Sequence, residues 1–206
     1  MICFIGDSHG RFDALEALMR THPITVQVGD HGLGFHPATD MMTIKRLDAV
    51  PGEHWFFGGN HDDPSVCMRS TRCLGDFGVC EIDGRRVGFI RGAWSIDRDL
   101  RVLFVDWWPN EELGSTQLDA AVDLLVDARP DIIATHDGPH SILCEMFADT
   151  CLHQEIRPTR TSGMLDVLFK RYQPQHWVFG HWHKTMHRTF DGTQFRCLAE
   201  LDTLAL

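Results

Sequence analysis

Short apolar runs ending in Gly-Asp or Gly-Asn alternate with helical spacings through the first 60 residues. Ile2–Ile5 reads as a buried strand closed by Gly6-Asp7. Arg11–Arg20 then sets Phe12, Leu15, Leu18 and Met19 on one helical face. Ile24–Val28 is a second strand run closed by Gly29-Asp30. Thr39–Val50 returns to a loose helical spacing until Pro51-Gly52 stops it. His54–Phe57 is a third strand, followed by Gly58-Gly59-Asn60. The order β-α-β-α-β predicts a layered α/β sheet.

Further along, Val79–Ile82 and Arg86–Ile90 flank Asp83-Gly84, a hairpin turn that needs positive φ at both central residues. Leu118–Ala128 has helical periodicity, with Thr116 as the expected N-cap and Pro130 beyond its end. Ile132–Ala134 and Trp177–Phe179 are further strands, with a helix around Met164–Tyr172 between them. Met186–Phe190, Asp191-Gly192 and Gln194–Leu201 read as a second hairpin. Residues 138–160 have weak periodicity and read as a short extra helix or a loop over a site. With no repeat or linker, the expectation is one domain over 1–206. Its class would be α/β, a two-sheet β-sandwich flanked by helices.

Composition narrows the function classes. Nineteen Lys+Arg against 29 Asp+Glu give a formal net charge of −10. A sequence-blind binder of long nucleic acid needs surplus cations, so that class is disfavoured. Bound metal can still reverse the field inside one cleft. Seven Cys, none in a C-x-x-C pair, point away from a disulfide framework or a cysteine zinc site. The start MICFIGDSHG lacks a basic region, so no signal peptide is expected. No apolar stretch approaches the ~20 residues of a membrane span. The expected setting is soluble, reducing and cytoplasmic. Thirteen His beside a single Tyr make the placement of the histidines the leading question, because histidine is the commonest metal ligand.

Five of those histidines stand at the C-terminal ends of predicted strands, in the blocks Gly6-Asp7-Ser8-His9, Gly59-Asn60-His61-Asp62, Thr135-His136 and Gly180-His181-Trp182-His183. Gly29-Asp30 makes a fifth block. Strand ends of this kind are where α/β sheets bind ligands. A mixed Asp/Asn/His set without Cys suits divalent Mn, Fe, Ni or Zn.

The ordered set GDSHG, VGD, GNHD, TH and GHWH resembles the calcineurin-like metallophosphoesterases, over nearly the whole chain. The resemblance implies a β-sandwich flanked by helices and two divalent ions, manganese first among the candidates. It implies that Asp7, His9 and His183 hold one ion, that Asn60, His136 and His181 hold the other, and that Asp30 bridges them. It also implies that His61 is a catalytic acid or charge stabiliser while a metal-activated water attacks phosphorus. The expected activity is hydrolysis of a small phosphate ester, with no membrane partner and with oligomeric state open. The alternatives are a phosphodiesterase or nuclease acting on nucleotides, or a non-catalytic scaffold of the same fold.

One departure matters. Serine/threonine phosphatases of this superfamily carry GDxVDRG, whereas this chain has Gly29-Asp30-His31-Gly32-Leu33-Gly34-Phe35. The Asp that would orient His61 and an Arg for phosphate are therefore missing there. The stretch Arg91–Arg101 is the expected substitute, with Arg98 or Arg101 as a phosphate clamp and a solvated ion-paired arginine as the equal alternative. Trp107 and Trp108 are read as packing residues, with a stacking wall as the second possibility. His31 and His140 are read as plain polar loop residues.

Overall fold

The computed structural model describes all 206 residues, Met1–Leu206. Two sheets face each other. The first holds β1 (Cys3–Ile5), β2 (Ile24–Gln27), β3 (Glu53–Phe56) and β10 (Thr203–Ala205) in the order β10-β1-β2-β3. Within it β1, β2 and β3 run parallel, joined through α1 (Phe12–Thr21) and α2 (Pro37–Asp48), as the sequence pattern predicts. The second sheet has six strands in the order β4-β5-β6-β7-β9-β8. These are β4 (Phe77–Ile82), β5 (Arg85–Ile90), β6 (Ile132–Thr135), β7 (His176–Phe179), β8 (Met186–Phe190) and β9 (Thr193–Cys197).

Strand alternation divides the core into layers. Phe4, Val26, Ile132, Ala134 and Val178 point between the sheets, where they pack with Phe57, Val87 and Phe89. Cys3 and Ile5 face the other way, onto Leu15 and Met19 of α1 and Leu47 of α2. Ile133, Trp177 and Phe179 likewise turn outward. Beyond the short α3 (Pro64–Cys67) in chain order, they meet α4 (Ser115–Ala128), α5 (His140–Met146) and α6 (Arg160–Arg171). Burying each Val, Leu, Ile, Phe or Met side chain among them contributes about 1.5–3 kcal/mol. The result is a sandwich of two mixed sheets with helices on both outer faces.

Several boundaries differ from the sequence reading. The N-cap of α4 is Gly114, not Thr116. The Gly114 amide donates to Gln117 Oε1 at 3.1 Å, and Thr116 lies inside the first turn. Residues 138–160 combine both expected forms, as α5 is followed by a 3-10 turn at Cys151–Gln154 and then irregular chain. The second hairpin ends at Cys197. The chain then turns back to form β10, which pairs antiparallel with β1. Both hairpin turns have the expected backbone, with φ of 49° and 71° at Asp83-Gly84 and 48° and 83° at Asp191-Gly192.

Candidate metal centre

The five motif blocks converge at one end of the sandwich, above the C-terminal ends of β1, β2, β3, β6 and β7. Asp7, His9, Asp30 and His183 bring one ligand atom each within 4.8 Å of one another, and Asp30, His136 and His181 form a second such group. Asp30 is common to both. Asn60 joins the second group, with its Oδ1 2.9 Å from His136 Nε2. All seven expected ligands are thus assembled, although they come from five separate loops.

The backbone is bent to achieve this. His9, Asp30, His181 and His183 all have φ between 45° and 67°, a region that side chains other than glycine enter at a cost of about 1–3 kcal/mol each. Glycines make room for the ligands. A Cβ on Gly59 would collide with Asp30 Oδ1, and one on Gly180 would collide with Asp7 Oδ1. The β1 and β2 loops are tied together because the Ser8 and His9 amides both donate to the Asp30 carbonyl, at 3.0 and 2.9 Å.

Second partners orient the donors. The Asn60 side-chain amide donates to Ser95 Oγ at 2.9 Å, and Ser95 in turn donates to buried Glu111, which leaves Asn60 Oδ1 facing His136. The Nδ1 of His136 lies 2.9 Å from the Val28 carbonyl, so that nitrogen carries the proton and Nε2 faces Asp30 at 3.1 Å. Asp62 accepts four backbone N–H groups, from His31, Gly32, Leu33 and Gly59, and so staples the loop that follows β2 to the loop that follows β3. Burial and the charge of Asp30 push its carboxyl up to about 7 against those four donors.

Charge is concentrated here. Burial opposes ionisation of Asp30, but His136, His61 and His9 hold its carboxyl well below the usual range. Burial likewise opposes charge on His136, yet Asp30 and Asp7 push it up to about 10. Burial and the neighbouring His136 charge hold His181 well below the ordinary histidine range. His183 is raised by its contact with Asp7, 3.3 Å away. The donor set fits a pair of divalent cations. Asp30 Oδ2 is buried with no hydrogen-bond partner, and the Nε2 atoms of His9 and His183 face each other at 2.8 Å.

His61 lies at the rim, its ring 5.1 Å from that of His9, and its backbone amide donates to Asp30 Oδ1 at 2.8 Å. Arg101 donates from Nη2 to His61 Nε2 at 2.9 Å. The same guanidinium makes a two-point contact with Asp97 at 2.7 Å and reaches the Asp106 carbonyl at 3.0 Å. Arg101 therefore reaches the site but is not the free phosphate clamp expected from the sequence, since four of its five N–H donors are engaged. Arg98 is not drawn into the cleft. Its guanidinium packs over the Trp94 ring at 5.4 Å and lies 3.9 Å from Asp99. Trp108 is buried against Phe35, and neither it nor Trp107 lines the cleft, which favours the packing reading. His31 is no plain loop residue. It is buried and stacked on Phe56 at 4.2 Å, and burial pushes it down to about 3. His140 instead opens α5, half-buried.

The cleft beside the ligands encloses about 380 Å³ and includes residues that the sequence reading passed over. Trp94, Ile96 and Trp182 line it with Leu152, Glu155 and Arg157. Trp94 and Trp182 belong to stretches already marked for their polar residues. Arg157 lies in the segment whose periodicity failed, and no local signal pointed to it.

The chain belongs to the calcineurin-like phosphoesterases, whose family model matches residues 1–185. No curated protein sequence matches it. Among solved structures it is similar to a Staphylococcus aureus protein described as a putative 5′-nucleotidase, at 14% identity and a TM-score of 0.57. That match covers 97% of this chain but 48% of the other, so the chain spans about half the length of that relative. It is also similar to the phosphopantetheinyl hydrolase of Mycobacterium tuberculosis, with 13% identity, a TM-score of 0.53, and 97% and 89% of the two chains covered. A hypothetical protein from Thermus thermophilus shares 15% identity with a TM-score of 0.51, covering 97% of this chain and 75% of that one. At these identities the likeness establishes the fold.

Proposed function

We propose that the chain hydrolyses a small phosphate ester at a two-metal centre. Asp7, His9 and His183 would hold one divalent ion, Asn60, His136 and His181 the other, and Asp30 both. The observation that carries this reading is Asp30, shared by both ligand groups with one carboxylate oxygen orphaned in the interior. When bound, two such ions supply a clamp for phosphoryl oxygens and an activated water.

The chain's own residues do the rest. Ser95 and Val28 hold Asn60 and His136 with their donor atoms turned inward, so little reorganisation is needed. The Asp97–Arg101 pair fixes His61 in place of the missing motif Asp. Because Arg101 donates to Nε2, the proton of His61 rests on Nδ1, and burial holds the ring below the ordinary histidine range. His61 thus works as a neutral ring beside a fixed guanidinium. Its Nδ1–H donates a hydrogen bond to the leaving oxygen, the Arg101 charge behind the ring adds to that stabilisation, and the leaving group takes its proton from water. Manganese is the ion favoured for the Asp/Asn/His set.

The test is metal content followed by turnover. Protein loaded with Mn²⁺ should bind two ions per chain and cleave p-nitrophenyl phosphate or its bis ester. Asp30→Asn should lose both ions and at least about 10³-fold in activity, the scale on which removing one strong electrostatic group acts. Asp30→Asn protein that keeps two ions and full turnover would sink the proposal.

A further inference from the structure

The cleft wall away from the ligands has a chemistry of its own. Loops after β5, β6 and β7 supply Trp94, Asp137 and Trp182, and these strands are neighbours in the order β5-β6-β7. Both indoles line the one cleft, of about 380 Å³, and give it aromatic faces on which a flat ring can stack. Trp182 is immobilised. Its Nε1 donates to buried Asp137 at 3.0 Å, its ring packs on Phe147 at 5.5 Å, and it sits between His181 and His183. A ring stacked there lies beside the ligand cluster.

The opposite rim comes from the chain after α5. Arg157 lines the cleft, is exposed, and makes no ion pair or hydrogen bond. With Arg101 already engaged, Arg157 is the cleft cation with all its donors free for a second anion. Glu155, two residues earlier on the same rim, offers carboxylate oxygens that can accept hydrogen bonds from ligand hydroxyls. A flat ring, hydroxyls and an extra anionic group together describe a nucleotide.

We propose that this cleft is a nucleotide subsite, with a base stacked on the indoles of Trp94 and Trp182, ribose hydroxyls on Glu155 and a second phosphate on Arg157. The inference rests on the phosphoesterase reading, since the phosphate to be cleaved lies at Asp30. The −10 net charge favours such a small anion over a long polyanion.

Calorimetry on the Mn²⁺-loaded protein tests it with three uncleavable or product probes: α,β-methylene-ADP, methylenediphosphonate and inorganic phosphate. The nucleotide should bind at least about tenfold tighter than methylenediphosphonate, the lower range of base stacking on aromatic side chains. Trp94→Ala should remove most of that gap and Trp94→Phe should retain it. Arg157→Gln should weaken α,β-methylene-ADP at least about fivefold more than it weakens phosphate. Nucleotide and diphosphonate affinities within about twofold of each other would overturn the base site. An equal loss of nucleotide and phosphate in Arg157→Gln would overturn the second-anion site. Phosphate affinity with and without Mn²⁺ scores the metal reading separately, so the two failures are told apart.

Discussion

Acidifying the metal-free protein should cost it stability, and His31 carries a share that a single variant isolates. His31 lies between Phe12 and Phe56, with Nδ1 3.0 Å from Gln27 Oε1, and burial pushes it down to about 3 from 6.5, a shift that nearby Asp48 only partly offsets. Its folded pKa is depressed, so between about 3 and 6.5 the unfolded chain binds a proton that the folded chain refuses, and stability falls as pH falls. At pH 5.0 the unfolded form gains a statistical weight of about 33 and the folded form almost none, which amounts to about 2 kcal/mol relative to pH 7.5. The control is His31→Phe. It keeps the stack on Phe56, and Gln27 Oε1 still accepts the Gly29 amide at 3.2 Å. Urea unfolding of both proteins at pH 7.5 and 5.0, with chelator present, should show the wild type losing about 2 kcal/mol more than the variant. Pairs of curves that shift equally, to within about 0.5 kcal/mol, would refute the reasoning. Because the His31 amide and carbonyl also bind Asp62 and Gly10, protonation should loosen the loop that carries Asp30.

Two further outcomes follow from the ligand geometry. Ser95→Ala frees the Asn60 amide to turn, so the ion held by Asn60, His136 and His181 should be retained about 10–100-fold less tightly, as read by Mn²⁺ titration against a chelating dye. Metal loading at pH 7 should release a proton from His136, whose folded value of about 10 keeps it protonated without metal. Affinity should then rise up to about tenfold per pH unit below that value, and calorimetry in buffers of different ionisation heat checks it.

The sequence alone marked the Asp, Asn and His residues that converge at one end of the sandwich, and the layers that present them. Residues such as Asp7, Asp30, Asn60 and His136 each follow a short apolar strand within a few positions, and parallel strands end on the same side, so local order fixes where they converge. The alternation of Phe4 with Cys3 and Ile5 similarly fixed which faces are buried. Tertiary structure decided the rest. β10 is three residues with no buried position, and only the free edge of β1 makes it a strand. His31 reads as a polar loop residue until Phe56 packs on it. Arg101 is committed to Asp97 and His61, while Arg157 is free, because of how two irregular loops fold over the cleft. Strand ends are set by backbone periodicity, which a sequence displays. Loop side chains are set by contacts between distant segments, which it does not.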